Sequence, residues 1–144
     1  MQHPHYLRSD TLNPGIGKVS ILSWIIIALG GALGALTRYG VDRLATNILG
    51  PTVIGTFTVN IIGSFLMGLF ISLASLKTNW HDYYNFFLVV GFCGSFTTFS
   101  AVTVAGVKSV EDGDYLKFTF NVLGSFTIGL LSAYIGIWLG KNTF

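Results

Sequence analysis

The stretch that decides the fold reads Gly-Phe-Cys-Gly-Ser-Phe-Thr-Thr-Phe-Ser at residues 91–100, in the middle of a long apolar segment. Two glycines and four hydroxyl residues are unusual at the centre of a membrane-spanning helix, because freed backbone groups there cannot find water as a partner. Such an interruption survives only where protein or a cavity receives it. We therefore expect a helix that is broken at its centre, and a functional centre at the break.

The composition of the whole chain is that of an integral membrane protein. Of the 144 residues, 51% are hydrophobic and only 10% are charged, and the mean hydropathy is +0.66. A spanning helix needs about 20 mainly apolar residues, and four windows meet this requirement: residues 21–40, 53–76, 86–107 and 116–139. We predict an all-α, multi-pass domain of the cell membrane over residues 21–144, preceded by a flexible polar tail at residues 1–20.

Several classes of function are excluded by what the chain lacks. Its net charge is +2 with scattered basic residues, so no stripe can follow the phosphates of a nucleic acid. The sequence has no Walker loop, no nucleophile with its base and no dinucleotide fingerprint, so the chain is not expected to be an enzyme or to use ATP. The predicted spans carry no acidic residue at mid-depth, which argues against a proton-coupled exchanger. Passive conduction is the simplest activity that remains after these exclusions.

The orientation of the spans in the membrane is not determined by the loop charges. Cytoplasmic loops normally carry an excess of Lys and Arg, but here four basic residues on one side oppose three on the other: Arg8, Lys18, Lys77 and Lys141 against Arg43, Lys108 and Lys117. Four spans are also too few to enclose a water path of their own. Our hypothesis is that two copies insert in opposite directions and pair within the membrane. Membrane lipid then surrounds the pair.

Polar side chains recur on one face of two predicted spans. Thr56, Asn60 and Ser64 follow one another at intervals of four residues, and Asn121 and Ser125 do the same in the fourth span. Amides and hydroxyls donate hydrogen bonds without bringing charge, which suits an anion that must later be released. The same side chains also commonly join neighbouring helices, and spacing alone leaves both alternatives open.

Two phenylalanines and an arginine each have a functional and a structural interpretation. Phe96 and Phe99 flank the expected break, where the positive edges of their rings would favour a small anion, although membrane phenylalanines commonly serve only packing. Arg38, near the end of the first predicted span, either attracts anions to a vestibule or extends to the interface.

Three motifs together resemble the Fluc/CrcB fluoride channels. They are Gly-Ala-Leu-Gly-Ala-Leu-Thr-Arg at residues 31–38, Gly-Thr-Phe-Thr-Val-Asn-Ile-Ile-Gly-Ser-Phe at 55–65, and the segment at 91–100, within a likeness that covers residues 25–140. The resemblance implies an antiparallel, dual-topology dimer with two narrow pathways that exports fluoride passively and keeps it from accumulating in the cytoplasm. It also implies a structural sodium ion, not transported, at the dimer centre, held by the backbone carbonyls of Gly94 and Thr97.

The resemblance assigns the fluoride pathway to particular residues. Asn60 matches the pore asparagine of the family, Phe99 its first pore phenylalanine and Arg38 its first-helix arginine, while Asn121 and Ser125 match its polar track. The pathway is expected to include three further residues of the 91–100 motif as well: Phe96, Thr98 and Ser100.

The chain departs from the family pattern just after this motif. Val102 and Ala105 stand where the family usually has a second phenylalanine and a glutamate. The alternatives are therefore a homodimer, a subunit that pairs with an unequal paralogous chain, or a subunit with a purely structural role.

Overall fold

The computed structural model describes residues 20–50, 53–76 and 81–143, and its elements are all helical. Helix α1 spans Ile21–Leu49 and α2 spans Ile54–Leu76. Helix α3, residues 82–96, is continuous over Asp82–Tyr84, a wider π-helical segment Asn85–Cys93, and Gly94–Phe96. Helix α4 spans Phe99–Glu111. Helix α5, residues 115–143, comprises Tyr115–Thr119, a π-helical segment Phe120–Gly124, and Ser125–Thr143.

Within the described residues, four helical stretches are long and apolar enough to cross a membrane: Ile21–Leu49, Ile54–Leu76, Asp82–Glu111 and Tyr115–Asn142. The prediction of an all-α protein with four spanning helices is confirmed. Large apolar side chains cover most of the outer surface, and the buried apolar side chains among the described residues are few and are these: Val59, Cys93, Phe96 and Val102. This distribution fits a chain whose solvent is lipid.

Helix α1 is longer than the first span, which was predicted at residues 21–40. Helix α1 continues for nine residues to Leu49 and closes at Gly50, whose φ of 76° suits glycine and whose N–H bonds the Thr46 carbonyl at 2.9 Å. Hydropathy falls near Asp42, whereas the helix itself continues beyond this residue. The predicted tail at residues 1–20 lies outside the described residues except for Ser20, which caps the first turn of α1.

Glycines bring the helices of one chain into backbone contact. Gly30 and Gly34 of α1 leave room for the carbonyls of Phe87 and Phe92 in α3, where a Cβ would collide. Between α2 and α5, Gly68 and Gly136 play the same part against the carbonyls of Ala133 and Phe65. Close approach through small residues is the usual way that membrane helices associate, and here it joins α1 to α3 and α2 to α5.

Candidate functional site

Between α3 and α4 the backbone is extended for two residues. Thr97 has φ −80° and ψ 156°, and Thr98 has φ −149° and ψ 119°. The flanking helix ends are closed by these two threonines: the N–H and hydroxyl of Thr97 both donate to the Cys93 carbonyl, at 3.1 and 3.0 Å, and the Thr98 hydroxyl accepts from the N–H of Ala101 at 3.2 Å. Each threonine therefore supplies a partner that the helix end would otherwise lack.

Asn60 of α2 binds the backbone at this point. Its Nδ2 donates to the Thr98 carbonyl at 3.0 Å, and its Oδ1 accepts from the Thr98 N–H at 2.8 Å. Of the two alternatives for Asn60, hydrogen bonding between helices is therefore observed. In an unbroken α-helix the Thr98 N–H would donate to the carbonyl four residues earlier, which belongs to Gly94. That carbonyl is left without its helical donor.

A cavity of about 200 Å³ opens beside the extended residues. It draws its lining from α1, α2 and the start of α4: Ala35, Arg38, Tyr39, Asp42, Thr56, Val59, Thr98 and Ala101. Arg38 is half-buried rather than fully solvated. The cavity thus brings the predicted residues Arg38 and Thr98 together, with Asn60 bonded to Thr98 behind it. Asp42 and Tyr39 also line the cavity, although neither was predicted to belong to the site. Asp42 lay just beyond the first span predicted at residues 21–40.

The two phenylalanines of the motif lie in opposite environments. The Phe96 side chain is 3% exposed, stacks on Phe92 with 5.5 Å between ring centroids, and lies against Gly63 of α2. The Phe99 side chain is 82% exposed on the surface of the chain. Ser100 is also exposed, and its hydroxyl shares a hydrogen bond of 3.0 Å with that of Thr98. The structure therefore brings Thr98, Phe99 and Ser100 together and separates Phe96 from them.

Asn121 and Ser125, the predicted polar track of α5, lie inside the chain. Asn121 is fully buried and donates from Nδ2 to the Val102 carbonyl at 2.9 Å, but its Oδ1 and the buried Ser125 hydroxyl have no hydrogen-bond partner. Buried polar atoms nearly always have partners, so such orphans point to water or a ligand. Ser132 on the same helix instead donates to the Ile61 carbonyl at 2.8 Å and joins α5 to α2.

Side chains that could form a conventional metal centre are missing from the described segments: they hold no group of three or more His, Cys, Asp or Glu residues suited to a metal ion. The oxygen atoms near the interruption belong to backbone carbonyls, to hydroxyls and to the Asn60 carboxamide. Gly63 of α2 also contacts the interruption, and this contact was not predicted from the sequence. A Cβ at Gly63 would collide with the Thr97 methyl group. The sequence does indicate the contact, because Gly63 lies three residues after Asn60 on the same helical face.

The sequence model described as "CrcB-like protein, Camphor Resistance (CrcB)" matches residues 25–137. A fluoride-specific ion channel FluC from Gloeothece citriformis is 40% identical over 127 residues, which cover 85% of this chain and 99% of the relative. One from Sulfurihydrogenibium sp. is 36% identical over 119 residues, covering 82% and 96%. One from Bacteroides fragilis is 40% identical over 122 residues, covering 82% and 95%.

These relatives are ion channels, which confirms the prediction that the chain is not an enzyme. With four apolar spanning helices, it is a multi-pass membrane protein. Because the match extends over most of the chain and almost the full length of its relatives, this protein belongs to the CrcB family.

Proposed function

We propose that the chain forms a fluoride-selective channel that exports the ion passively, as one half of an antiparallel, dual-topology dimer. The main support for this proposal is the pair of extended residues, Thr97 and Thr98. They bring uncharged hydrogen-bond donors together beside a cavity that is lined in part by Arg38. The names of the relatives, fluoride-specific ion channels, support fluoride as the ion. Passive export lowers the concentration of fluoride in the cytoplasm and hence its toxicity.

The proposed pathway uses positive charge at its mouth and neutral donors further in. The Arg38 guanidinium, in the cavity wall, attracts an anion from the interface. The hydroxyls of Thr98 and Ser100, 3.0 Å apart, then replace part of the water shell without holding the ion by full charge. The exposed ring of Phe99 offers its positive edge. The buried Ser125 hydroxyl, which has no partner, and the second N–H of Asn121 Nδ2, whose first N–H bonds the Val102 carbonyl, continue the track inside the chain.

The interruption also has the chemistry that a structural sodium ion requires. Hard cations prefer oxygen ligands, and the carbonyl of Gly94 has lost its helical donor to Asn60, while the N–H of Ala101 is bonded to the Thr98 hydroxyl and not to the Thr97 carbonyl. The carbonyls of Gly94 and Thr97 would hold the ion. When bound, it would neutralise carbonyl dipoles and join two copies at their interrupted helices, without being transported.

A dimer is favoured by what one chain leaves uncovered at the interruption. Gly94, Phe99 and Ser100 are exposed there, and polar backbone in contact with lipid is costly. A second, inverted copy would cover this face with the same residues. The even distribution of loop charge permits both orientations in the membrane.

A second candidate is a subunit that needs an unequal paralogous partner. It is favoured by Val102, which takes the place of the second pore phenylalanine and is only 5% exposed, with its carbonyl bonded to Asn121. Ala105 likewise provides no carboxylate. In a symmetric dimer both pathways would lack these groups, whereas a paralogous partner could supply them. A purely structural subunit is the remaining alternative.

The test is fluoride efflux from liposomes that contain the purified chain as the single protein. Rapid efflux of fluoride with slow efflux of chloride supports the homodimer. Efflux that requires a co-reconstituted paralogue supports the second candidate. If neither preparation passes fluoride faster than protein-free liposomes, the proposed function is wrong. A fluorescent reporter fused to the C-terminus that is found on only one side of the membrane would contradict dual topology.

A further inference from the structure

The two hydrogen bonds between Asn60 and Thr98 have the geometry of a strand pair. In an antiparallel sheet, an extended residue exchanges both its N–H and its carbonyl bond with one residue opposite. The Asn60 carboxamide provides the same combination, with Oδ1 accepting at 2.8 Å and Nδ2 donating at 3.0 Å. The orientation of the amide follows from the partner, because the Thr98 N–H can only face an acceptor.

We propose that Asn60 is a positioning residue that holds Thr98 extended and thereby maintains the interruption between α3 and α4. In an α-helix the N–H and the carbonyl of a residue point in opposite directions along the axis, so no single side chain of α2 could bond both. The paired bonds therefore exist only in the interrupted state. An interaction made in one of two conformations shifts the population toward that conformation by its own free energy.

The consequence concerns the proposed ion site, and this part of the inference rests on the proposed function. A continuous helix would consume the Gly94 carbonyl by a bond from the Thr98 N–H, and Asn60 takes that N–H instead. Asn60 would thus prepare the cation site from a neighbouring helix without being a ligand. This positioning role of Asn60 is compatible with a role in the fluoride pathway, because Nδ2 carries a second N–H besides the one that bonds the Thr98 carbonyl.

A second contact from α2 supports this assignment. Gly63 lies one turn after Asn60 and faces the Thr97 methyl and the Phe96 ring, with no room for a Cβ. The same face of α2 therefore contacts both extended residues, Thr98 through hydrogen bonds and Thr97 through close packing. Helix α2 itself is held by α5, through Gly68 and Gly136, so the support is rigid.

The experiment compares wild-type protein with Asn60→Ala and a matched control, Ser132→Ala, in lipid bilayers. The control removes the hydrogen bond from Ser132 to the carbonyl of Ile61, the residue next to Asn60, without touching the interruption. The first measurement is the Thr98 Cα chemical shift in threonine-labelled protein, which distinguishes extended from helical backbone. We expect an extended value in wild type and in Ser132→Ala, and a shift toward the helical value in Asn60→Ala.

The second measurement uses Cys93, the only cysteine of the chain, which is fully buried one turn before the interruption. The rate of its alkylation reports opening of this region, and sodium is titrated against an organic cation. Two hydrogen bonds of ordinary net strength predict that Asn60→Ala needs about tenfold more sodium for half-maximal protection. Ser132→Ala should need the wild-type concentration.

An unchanged Thr98 shift in Asn60→Ala, or an equal change in Ser132→Ala, would overturn the inference. The proposed sodium ion is tested separately: if wild-type Cys93 is alkylated equally fast with and without sodium, the ion is contradicted, while a moved Thr98 shift still supports positioning by Asn60. Should Asn60→Ala fail to fold, Asn60→Leu replaces it. The leucine side chain is close to asparagine in size and offers the Thr98 backbone neither a donor nor an acceptor, so the same changes are expected.

Discussion

The two halves of the third span, α3 and α4, are built differently although they follow one another in the chain. Helix α3 lies in backbone contact with α1, at Gly30 and Gly34, and buries Phe96 against α2. Helix α4 buries a single stripe toward the beginning of α5 and exposes large side chains on the rest of its surface: Phe99, Val104, Val107 and Val110. One half is anchored within the chain, and the other presents its surface to lipid or to a second copy.

The difference teaches what the interruption achieves. In a continuous helix, residues three apart lie on the same face, and Phe96 and Phe99 would share one environment. The extended backbone of Thr97 and Thr98 separates them, so that the first ring is in the core and the second is outside. A single span can therefore bury one ring in the core of the chain and expose the other on the surface that the proposed pathway uses.

The largest effect is expected on removing the anchored ring. Phe96→Ala deletes a side chain that is 3% exposed and stacked on Phe92, and emptying such a site costs about 3–5 kcal/mol. The measurement is the free energy of unfolding in mixed micelles. Phe126→Ala is the control, because the Phe126 ring on α5 is 67% exposed. A loss below about 1 kcal/mol for Phe96→Ala would contradict the anchoring of α3 by its packing.

An intermediate effect is expected where α1 contacts α3. Gly34→Ala forces a Cβ toward the Phe92 carbonyl, whereas Gly40→Ala, on the same helix, meets nothing within 4 Å. Both changes gain about 1 kcal/mol of helix propensity, so their difference isolates the contact. We expect Gly34→Ala to be less stable than Gly40→Ala by about 1–3 kcal/mol, the usual cost of overpacking. Equal thermal stability of the two variants would show that α1 and α3 separate freely.

Much of the fold could be predicted because the membrane requires long apolar runs. The second span was predicted at residues 53–76 and is Ile54–Leu76, and the fourth begins within one residue of its prediction. The end of α1 could not be predicted, since hydropathy reports where the chain leaves the apolar layer and not where the helix stops. Gly50, with its positive φ, was the better signal.

The candidate site could be predicted in its members more than in their contacts. Spacing placed Asn60 and Thr98 in the middle of two different spans, but it could not show that the amide bonds the Thr98 backbone, because a periodic pattern contains no information about the partner helix. Nor could spacing show that the Ser132 hydroxyl of α5 donates to the Ile61 carbonyl and so joins α5 to α2. The sequence could also not show that the Phe96 ring is buried and the Phe99 ring exposed, because their environments depend on how the extended residues between them direct the two helices.

The smallest effect on stability, and the sharpest test of the comparison, is expected for Phe99→Ala. The ring is 82% exposed, so truncating it should change the unfolding free energy of the monomer by less than about 0.5 kcal/mol. If the exposed half of the third span forms the proposed fluoride pathway, efflux from liposomes should nevertheless decrease by about tenfold, which corresponds to about 1.4 kcal/mol in the barrier. Phe126→Ala, which truncates a phenylalanine of α5 that is also mostly exposed, should leave both quantities unchanged. Unaltered efflux in Phe99→Ala would mean that this ring only contacts lipid. The difference in packing between α3 and α4 would then matter for assembly and not for conduction.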